Sequence, residues 1–330
     1  MKIASVTVEP MPKSLGLRGH LVKLTDERGN VGIGEASPLP NYSPDDIAAV
    51  PDLLRDLGVR IGEVDDAINA IDSRLNGFAN ALDGAPASRF ALETALLAIV
   101  AQRKHSSVAR VLGGKENARV PLNGVVGANG DVASWVSDVT ALLERGIRVI
   151  KVKLGRSKDD FDREHAALIE LRKKLPPDVE LRLDANGSFR DRARERLADL
   201  ADVNPSYVEE PTHGEALLAL ERCDVPWAAD ESLVDRSLAN RLLENSECAV
   251  VILKPALLGG MIYTRKIAIS ARATNIGVVV THLFDGNVAH AAACELALSL
   301  DAPLACGLDA HAGLVSPSPY LQLPGCVSAP

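Results

Sequence analysis

The sequence predicts an α/β chain in which a small α+β unit precedes a closed parallel barrel. Three observations carry this. Residues 1 to about 35 alternate apolar and polar positions in strand fashion, and helical periodicity then takes over as far as Gly113-Gly114. From Arg119 onward, short β-branched runs alternate with amphipathic segments at a spacing of roughly 20 to 30 residues, as repeated β-α units require. Finally, five consecutive runs close on charged residues. A doubly wound open sheet is the runner-up. It is disfavoured because Gly124, Gly127 and Gly130 lack the G-x-G-x-x-G spacing of a dinucleotide fingerprint.

In order along the chain, Ile3, Val6 and Val8 form a first strand, and Leu21, Val22 and Leu24 a second. A Glu27-Arg28-Gly29-Asn30 turn leads to a third strand at Val31-Gly32-Ile33-Gly34. Ser43-Pro44-Asp45-Asp46 reads as a helix start, with Pro at the first helical position. Residues 85–102 read as an apolar helix beginning near Pro86. The barrel strands fall at 120–126, 149–154, 179–184, 207–210, 227–230, 250–254 and 278–281, with a shorter apolar piece near 304–306 as a further candidate. Helical segments between them include 132–145, 161–174, 192–200, 262–273 and 288–299.

The chain of 330 residues is about twice a typical domain, and its 47% apolar and 24% charged content is that of a soluble globular protein. A formal charge of -8 disfavours nucleic acid and anionic membrane as partners. With 3% aromatics, a base-stacking platform is not expected. The five cysteines never form a C-x-x-C pair and read as reduced thiols. Glu9, Pro10 and Pro12 interrupt any signal-like run, and later apolar stretches are broken short of the ~20 residues of a membrane span, so a cytoplasmic location is expected. No apolar stripe decides between monomer and homo-oligomer.

Active sites of parallel barrels gather at the C-terminal ends of the strands. Here those ends read Lys151-Val152-Lys153, Asp184-Ala185-Asn186, Glu209-Glu210-Pro211, Asp230-Glu231-Ser232 and Lys254-Pro255. Asp184, Glu209 and Asp230 would bring three carboxylates to one point, and a hard dication relieves their repulsion. All-oxygen ligation selects Mg²⁺ over Zn²⁺, with Mn²⁺ able to substitute. Lys153 and Lys254 would face each other across it. Lys151 shares a strand face with Lys153, and the two neighbouring ammonium groups are expected to press one lysine towards its basic form. Proton abstraction beside a substrate carboxylate follows, with the metal stabilising an enediolate. By strand alternation Glu210 and Glu231 should point away.

This constellation resembles the enolase superfamily and, within it, the muconate-lactonizing subgroup, where K-x-K ends the second strand and a further Lys the sixth. Gly34-Glu35-Ala36-Ser37-Pro38-Leu39-Pro40-Asn41-Tyr42-Ser43 is similar to a segment of the o-succinylbenzoate synthases, as are residues 88–95 and 181–186. The resemblance implies a modified (β/α)7β barrel, TIM-like, under an α+β capping domain. Residues 1–113 would form the cap, 114–315 the barrel, and 316–330 a tail returning to the cap. It implies Lys153 as base, Asp184, Glu209 and Asp230 as Mg²⁺ ligands, and Lys254 as opposing cation. The reaction implied is syn dehydration of 2-succinyl-6-hydroxy-2,4-cyclohexadiene-1-carboxylate, feeding menaquinone synthesis. Lys151, Asn186, Arg18, Ser232, Gly260 and His282 are candidate substrate contacts.

Alternatives stay open. An N-succinylamino acid racemase or dipeptide epimerase would use Lys254 as a second acid/base. Dipeptide epimerases of this subgroup usually carry Asp-x-Asp near the eighth strand, and Gly307-Leu308-Asp309-Ala310-His311 lacks the second Asp. A Schiff-base lyase would leave the carboxylates unexplained. A binding protein without catalysis would be expected to have lost one of the five residues. Thr281-His282-Leu283-Phe284-Asp285-Gly286 departs from the seventh-strand pattern of many relatives, and His282 suits either a substrate contact or a structural role.

Overall fold

A computed structural model describes residues 1–11, 19–127, 132–155, 161–245, 247–300, 303–322 and 324–330. Arg18 and Gly130 lie outside them. The N-terminal unit is an antiparallel sheet of β1 (Ile3–Pro10), β2 (His20–Asp26) and β3 (Val31–Ala36). The expected turn joins β2 to β3. Gly29 takes a φ of 85°, and the Asp26 carboxylate accepts the N–H groups of Arg28 and Asn30 at 2.9 and 2.8 Å.

Behind this sheet lies the helix Pro86–Arg103, apolar on nearly every side and therefore buried on nearly every side. Gly32 and Gly34 of β3 let it approach, since a Cβ at either would overlap the carbonyls of Ala95 or Ala91. The helix expected to start at Ser43 instead starts later, at Val50–Ile61. Asp45 serves another helix: its carboxylate accepts the Ala87 and Ser88 N–H groups at 3.3 and 3.2 Å, capping the buried helix from outside.

After β4 (Arg119–Pro121), seven strands run parallel in chain order: β5 (Asn123–Val126), β6 (Val149–Lys153), β7 (Glu180–Asp184), β8 (Val208–Glu209), β9 (Trp227–Ala229), β10 (Val250–Leu253) and β11 (Gly277–Val280). The apolar piece near 304–306 joins both edges of this sheet. Cys306 bridges to Leu122 and Gly307 to Thr281, both parallel, so the ring closes and the open-sheet alternative falls. Tyr207, Ala228, Val250, Ile252 and Val279 form an apolar cluster of their own, while alternate residues of the same strands, among them Val208, Ala229, Val251, Leu253, Val278 and Val280, belong to the main core. Arg182 is buried beside Tyr207, with its guanidinium carbon 5.1 Å from the ring centre and a 2.6 Å hydrogen bond to the Ala305 carbonyl. Helices Val132–Glu144, Phe161–Lys174, Ala193–Asp199, the short Glu215–Leu218, Arg236–Asn245, Met261–Ala273 and Asn287–Ser299 follow β5 to β11 in turn.

The tail ends in two short strands. Its strands β12 (Leu321–Gln322) and β13 (Cys326–Ser328) add to β4, at the start of the barrel unit, and not to the β1–β3 sheet. Carboxylates tie the two units together at helix starts. Glu35 accepts the N–H groups of Gly286, Val288 and Ala289 at 2.6 to 3.1 Å, and Glu93 that of Ile262 at 2.8 Å. All five cysteines are free, and among the described residues no helix is long and apolar enough to cross a membrane.

Candidate active site

A cavity of about 520 Å³ opens at the C-terminal ends of the strands. Into it project Lys151, Lys153, Asp184, Asn186, Asp230 and Lys254 from the barrel, and Leu39 and Tyr42 from the N-terminal unit. Glu209 lies just beneath, fully buried, with Cα register to Asp184 on the neighbouring strand. The strand pattern delivers this set because alternate residues of β6 to β9 face the barrel axis.

The lysines divide the carboxylates between them. Lys151 Nζ donates to Glu209 at 2.8 Å and lies 3.3 Å from Asp184. Lys153 Nζ is 3.6 Å from Asp184, with its side chain 40% exposed to the cavity. Lys254 Nζ donates to Asp230 at 2.5 Å, to Tyr42 at 2.7 Å and to Glu231 at 3.4 Å. Paired in this way, the carboxylates do not converge: among the described residues no three His, Cys, Asp or Glu side chains are gathered closely enough to hold a metal ion.

The electrostatics nevertheless suit a cation of higher charge. Burial, and then the carboxylates of Glu231, Glu209 and Asp184, push Asp230 up against the pull of Lys254. Burial also raises Glu209, against the pull of Lys151 and with the push of Asp184. One Asp230 oxygen, Oδ1, is buried with no hydrogen-bond partner. A lone pair left so is costly, and an oxygen-seeking dication satisfies it. By charge and donor type Asp184, Glu209 and Asp230 therefore suit a hard dication, which would have to draw them together from their lysine partners.

Lys151 is not the lysine pressed towards its basic form. Burial works to lower it, but Glu209 and Asp184 override burial and hold it above the ordinary lysine range. Its neighbour does not turn it into a base. Lys254 is likewise raised, with burial outweighed by Asp230 and Glu231.

Other expected contacts sort clearly. Asn186 lines the cavity, and its side-chain amide donates to Asp184. Ser232 does not line it: its hydroxyl donates to Glu210 and accepts from the Gly214 N–H at 2.8 Å. Gly260 is no cavity residue either. With a φ of 132° it starts the helix Met261–Ala273, where a Cβ would meet the Glu93 carboxylate. Arg18 lies outside the described residues.

His282 lines the cavity. Its Nδ1 accepts the Phe284 N–H at 3.0 Å, leaving the proton of the neutral ring on Nε2. Burial, then His311 and His290, hold His282 well below the ordinary histidine range. Its ring stacks on His311 with centroids 3.7 Å apart, and Phe284 stands edge-on to both.

Three residues of the site escaped the sequence. Glu231 does not point away, because a 3-10 turn at Glu231–Val234 ends the strand alternation and aims it at Lys254. Tyr42 arrives from the N-terminal unit, and its hydroxyl donates to Glu231 at 2.6 Å. Arg145 grips Asp309 with both terminal nitrogens, one at 2.8 Å, at the cavity wall. Only Tyr42 had a signal, its place in the segment similar to the synthases.

A family model described as "Enolase C-terminal domain-like" matches residues 135–314. An o-succinylbenzoate synthase of Desulfotalea psychrophila is 32% identical over 218 residues, covering 64% of this chain and 58% of the relative's length. An L-Ala-D/L-Glu epimerase of Bacillus subtilis is 26% identical over 322 residues, covering 92% of this chain and 86% of that one. The crystal structure of a dipeptide epimerase from Methylococcus capsulatus complexed with Mg ion superposes with a TM-score of 0.81 at 25% identity, covering 93% of this chain and 90% of that one. With the closed barrel, the strand-end residues and the family match over more than half its length, the chain belongs to the enolase superfamily.

Proposed function

We propose that this protein is a Mg²⁺-dependent o-succinylbenzoate synthase acting on 2-succinyl-6-hydroxy-2,4-cyclohexadiene-1-carboxylate. The observation that carries this reading is the inequality of its two lysines. Lys254 is buried and held by Asp230, Tyr42 and Glu231, whereas Lys153 reaches the cavity with one carboxylate 3.6 Å away. That favours one base on one face and a fixed cation on the other.

Asp184, Glu209 and Asp230 would hold the dication. When bound, it supplies positive charge to the substrate carboxylate, against which negative charge develops. Lys153, in its amine form, takes the α-proton. The electron pair of that C–H bond moves towards the carboxylate, giving an enediolate whose charge Lys254 faces from the opposite side, and it returns to form the ring double bond as the β C–O bond breaks. The Lys153 ammonium then returns the proton to the hydroxyl leaving from the same face, so water departs and the ring becomes aromatic. His282, His311 and Phe284 offer an aromatic wall to that ring. Arg145 neutralises Asp309, so the wall carries no spare carboxylate to repel a dianionic substrate or to attract an ammonium.

A second reading is an N-succinylamino acid racemase or dipeptide epimerase. It is favoured by two lysines on opposite sides of one cavity and by the similarity to an epimerase along 92% of the chain. The test is turnover of the cyclohexadiene substrate beside a panel of N-succinylamino acids and dipeptides, with Mg²⁺ present. Formation of o-succinylbenzoate is expected; conversion of the panel alone would overturn the assignment.

A further inference from the structure

Glu210 and His213 do not line the cavity; Glu210 continues the barrel ladder through its N–H to the Ala228 carbonyl at 2.8 Å, and together the two side chains are bound to neighbouring strand ends. Glu210 is fully buried and adopts a φ of 41°, a left-handed conformation that strains a non-glycine residue. Such strain persists only where surrounding bonds determine it. Here they do. The Glu210 carbonyl accepts the Gly187 N–H at 2.6 Å, on the loop after β7. Its carboxylate crosses to the loop after β9, where Oε2 accepts the Asp230 N–H at 2.7 Å and Oε1 the Ser232 N–H at 3.1 Å as well as the Ser232 hydroxyl.

The same Oε1 lies 3.1 Å from His213 Nδ1. From there the imidazole reaches back to the loop after β7, hydrogen-bonding the Asn186 backbone and lying flat against Gly187. A Cβ at Gly187 would overlap the ring, so glycine is required there both for its φ of 72° and for this contact. His213 forms part of the wall of a separate cavity of about 490 Å³ beside the barrel mouth, so the strap is reachable from solvent without passing the active site.

We propose that Glu210 and His213 are positioning residues: together they strap the strand ends bearing Asp184, Glu209 and Asp230 into one arrangement and thereby set the affinity for a divalent cation. The inference rests on the cation-assisted reading above. Neither residue would touch metal or substrate. Glu210 acts by fixing the backbone of Asp230, and His213 by locking Glu210 to the Asn186 loop.

The test is calorimetric titration of the metal-free protein with Mn²⁺, comparing wild type, Glu210→Gln and His213→Ala, each checked for folding by circular dichroism. Glu210→Gln keeps the shape but exchanges an acceptor for a donor. Its Mn²⁺ affinity is expected to fall about 10- to 100-fold, and that of His213→Ala about 3- to 10-fold, as for other groups that orient metal ligands. Excess Mn²⁺ should restore the turnover of both. Affinities within twofold of wild type would overturn the strap alone. If Glu210→Gln does not fold, His213→Ala decides by the same criterion. A wild-type protein that binds no Mn²⁺ would overturn both the strap and the reading beneath it.

Discussion

Tyr42 stands 2.7 Å from Lys254: the ammonium donates to the phenol oxygen, and the phenol donates onward to Glu231. A residue of the N-terminal unit thus completes the surroundings of a lysine at a barrel strand end, with the ring 5.2 Å from Nζ. Burial leads in raising Tyr42 above its ordinary range, so the phenol stays a donor to Glu231. The N-terminal unit thus takes part in fixing Lys254.

Tyr42→Phe should show this. It removes a hydroxyl that satisfies two partners but keeps the ring, so a loss of about 1 kcal/mol, or roughly 5-fold in kcat/KM, is expected. Thermal denaturation should change little. Unchanged kinetics would reduce Tyr42 to a packing role.

Arg145→Met should expose the charge of Asp309. With its two-pronged partner gone, Asp309 presents a bare carboxylate to the cavity. KM for the dianionic substrate is expected to rise about 10-fold with a smaller change in kcat, as for a lost charge-assisted contact. An unchanged KM would mean that the substrate does not sense this wall.

Gly34→Ala tests how β3 meets the buried helix Pro86–Arg103. A Cβ there overlaps the Ala91 carbonyl, which cannot move without shifting the helix. Destabilisation of about 1–3 kcal/mol or more in urea denaturation is expected, as for overpacking a core. A change below about 0.5 kcal/mol would show that the helix can yield.

Stability should depend on pH through Glu93. Its carboxyl is pushed up to about 7, first by burial, with the Ile262 N–H and Arg89 opposing. The folded state therefore binds this proton more tightly than the unfolded chain. The contribution is fully present below the ordinary glutamate range and is lost as pH rises towards 7. Asp285, also pushed up to about 7 by burial and then by Glu35, adds to the same slope. Comparing urea denaturation at pH 5 and 7.5, Glu93→Gln should lose less stability than wild type by on the order of 1–3 kcal/mol. Parallel losses would place the Glu93 transition elsewhere.

Much of this was legible in the sequence because parallel barrel strands are buried on both faces. Their apolar runs stand out, and the charges that end them mark the mouth. Lys153, Asp184, Glu209, Asp230 and Lys254 were visible for that reason. What was hidden depends on loops. Alternation predicted Glu231 outward, but the chain leaves β9 in a 3-10 turn and loses the two-residue period. Asp45 looked like the start of its own helix, yet it caps a helix some 40 residues on, a pairing no local pattern contains. Ser232 lies at a strand end, yet its hydroxyl turns to the buried Glu210 carboxylate, and Gly260 starts a helix packed against Glu93 and does not line the cavity.

The central claim is that Lys153 alone moves the substrate proton while Lys254 remains a fixed cation. Solvent deuterium incorporation at the substrate α-carbon, followed by NMR in D₂O with Mg²⁺, tests it in Lys153→Ala and Lys254→Ala, with folding and metal binding verified for both. Exchange is expected to vanish in Lys153→Ala and to persist, more slowly, in Lys254→Ala. Undiminished exchange in Lys153→Ala would contradict the account.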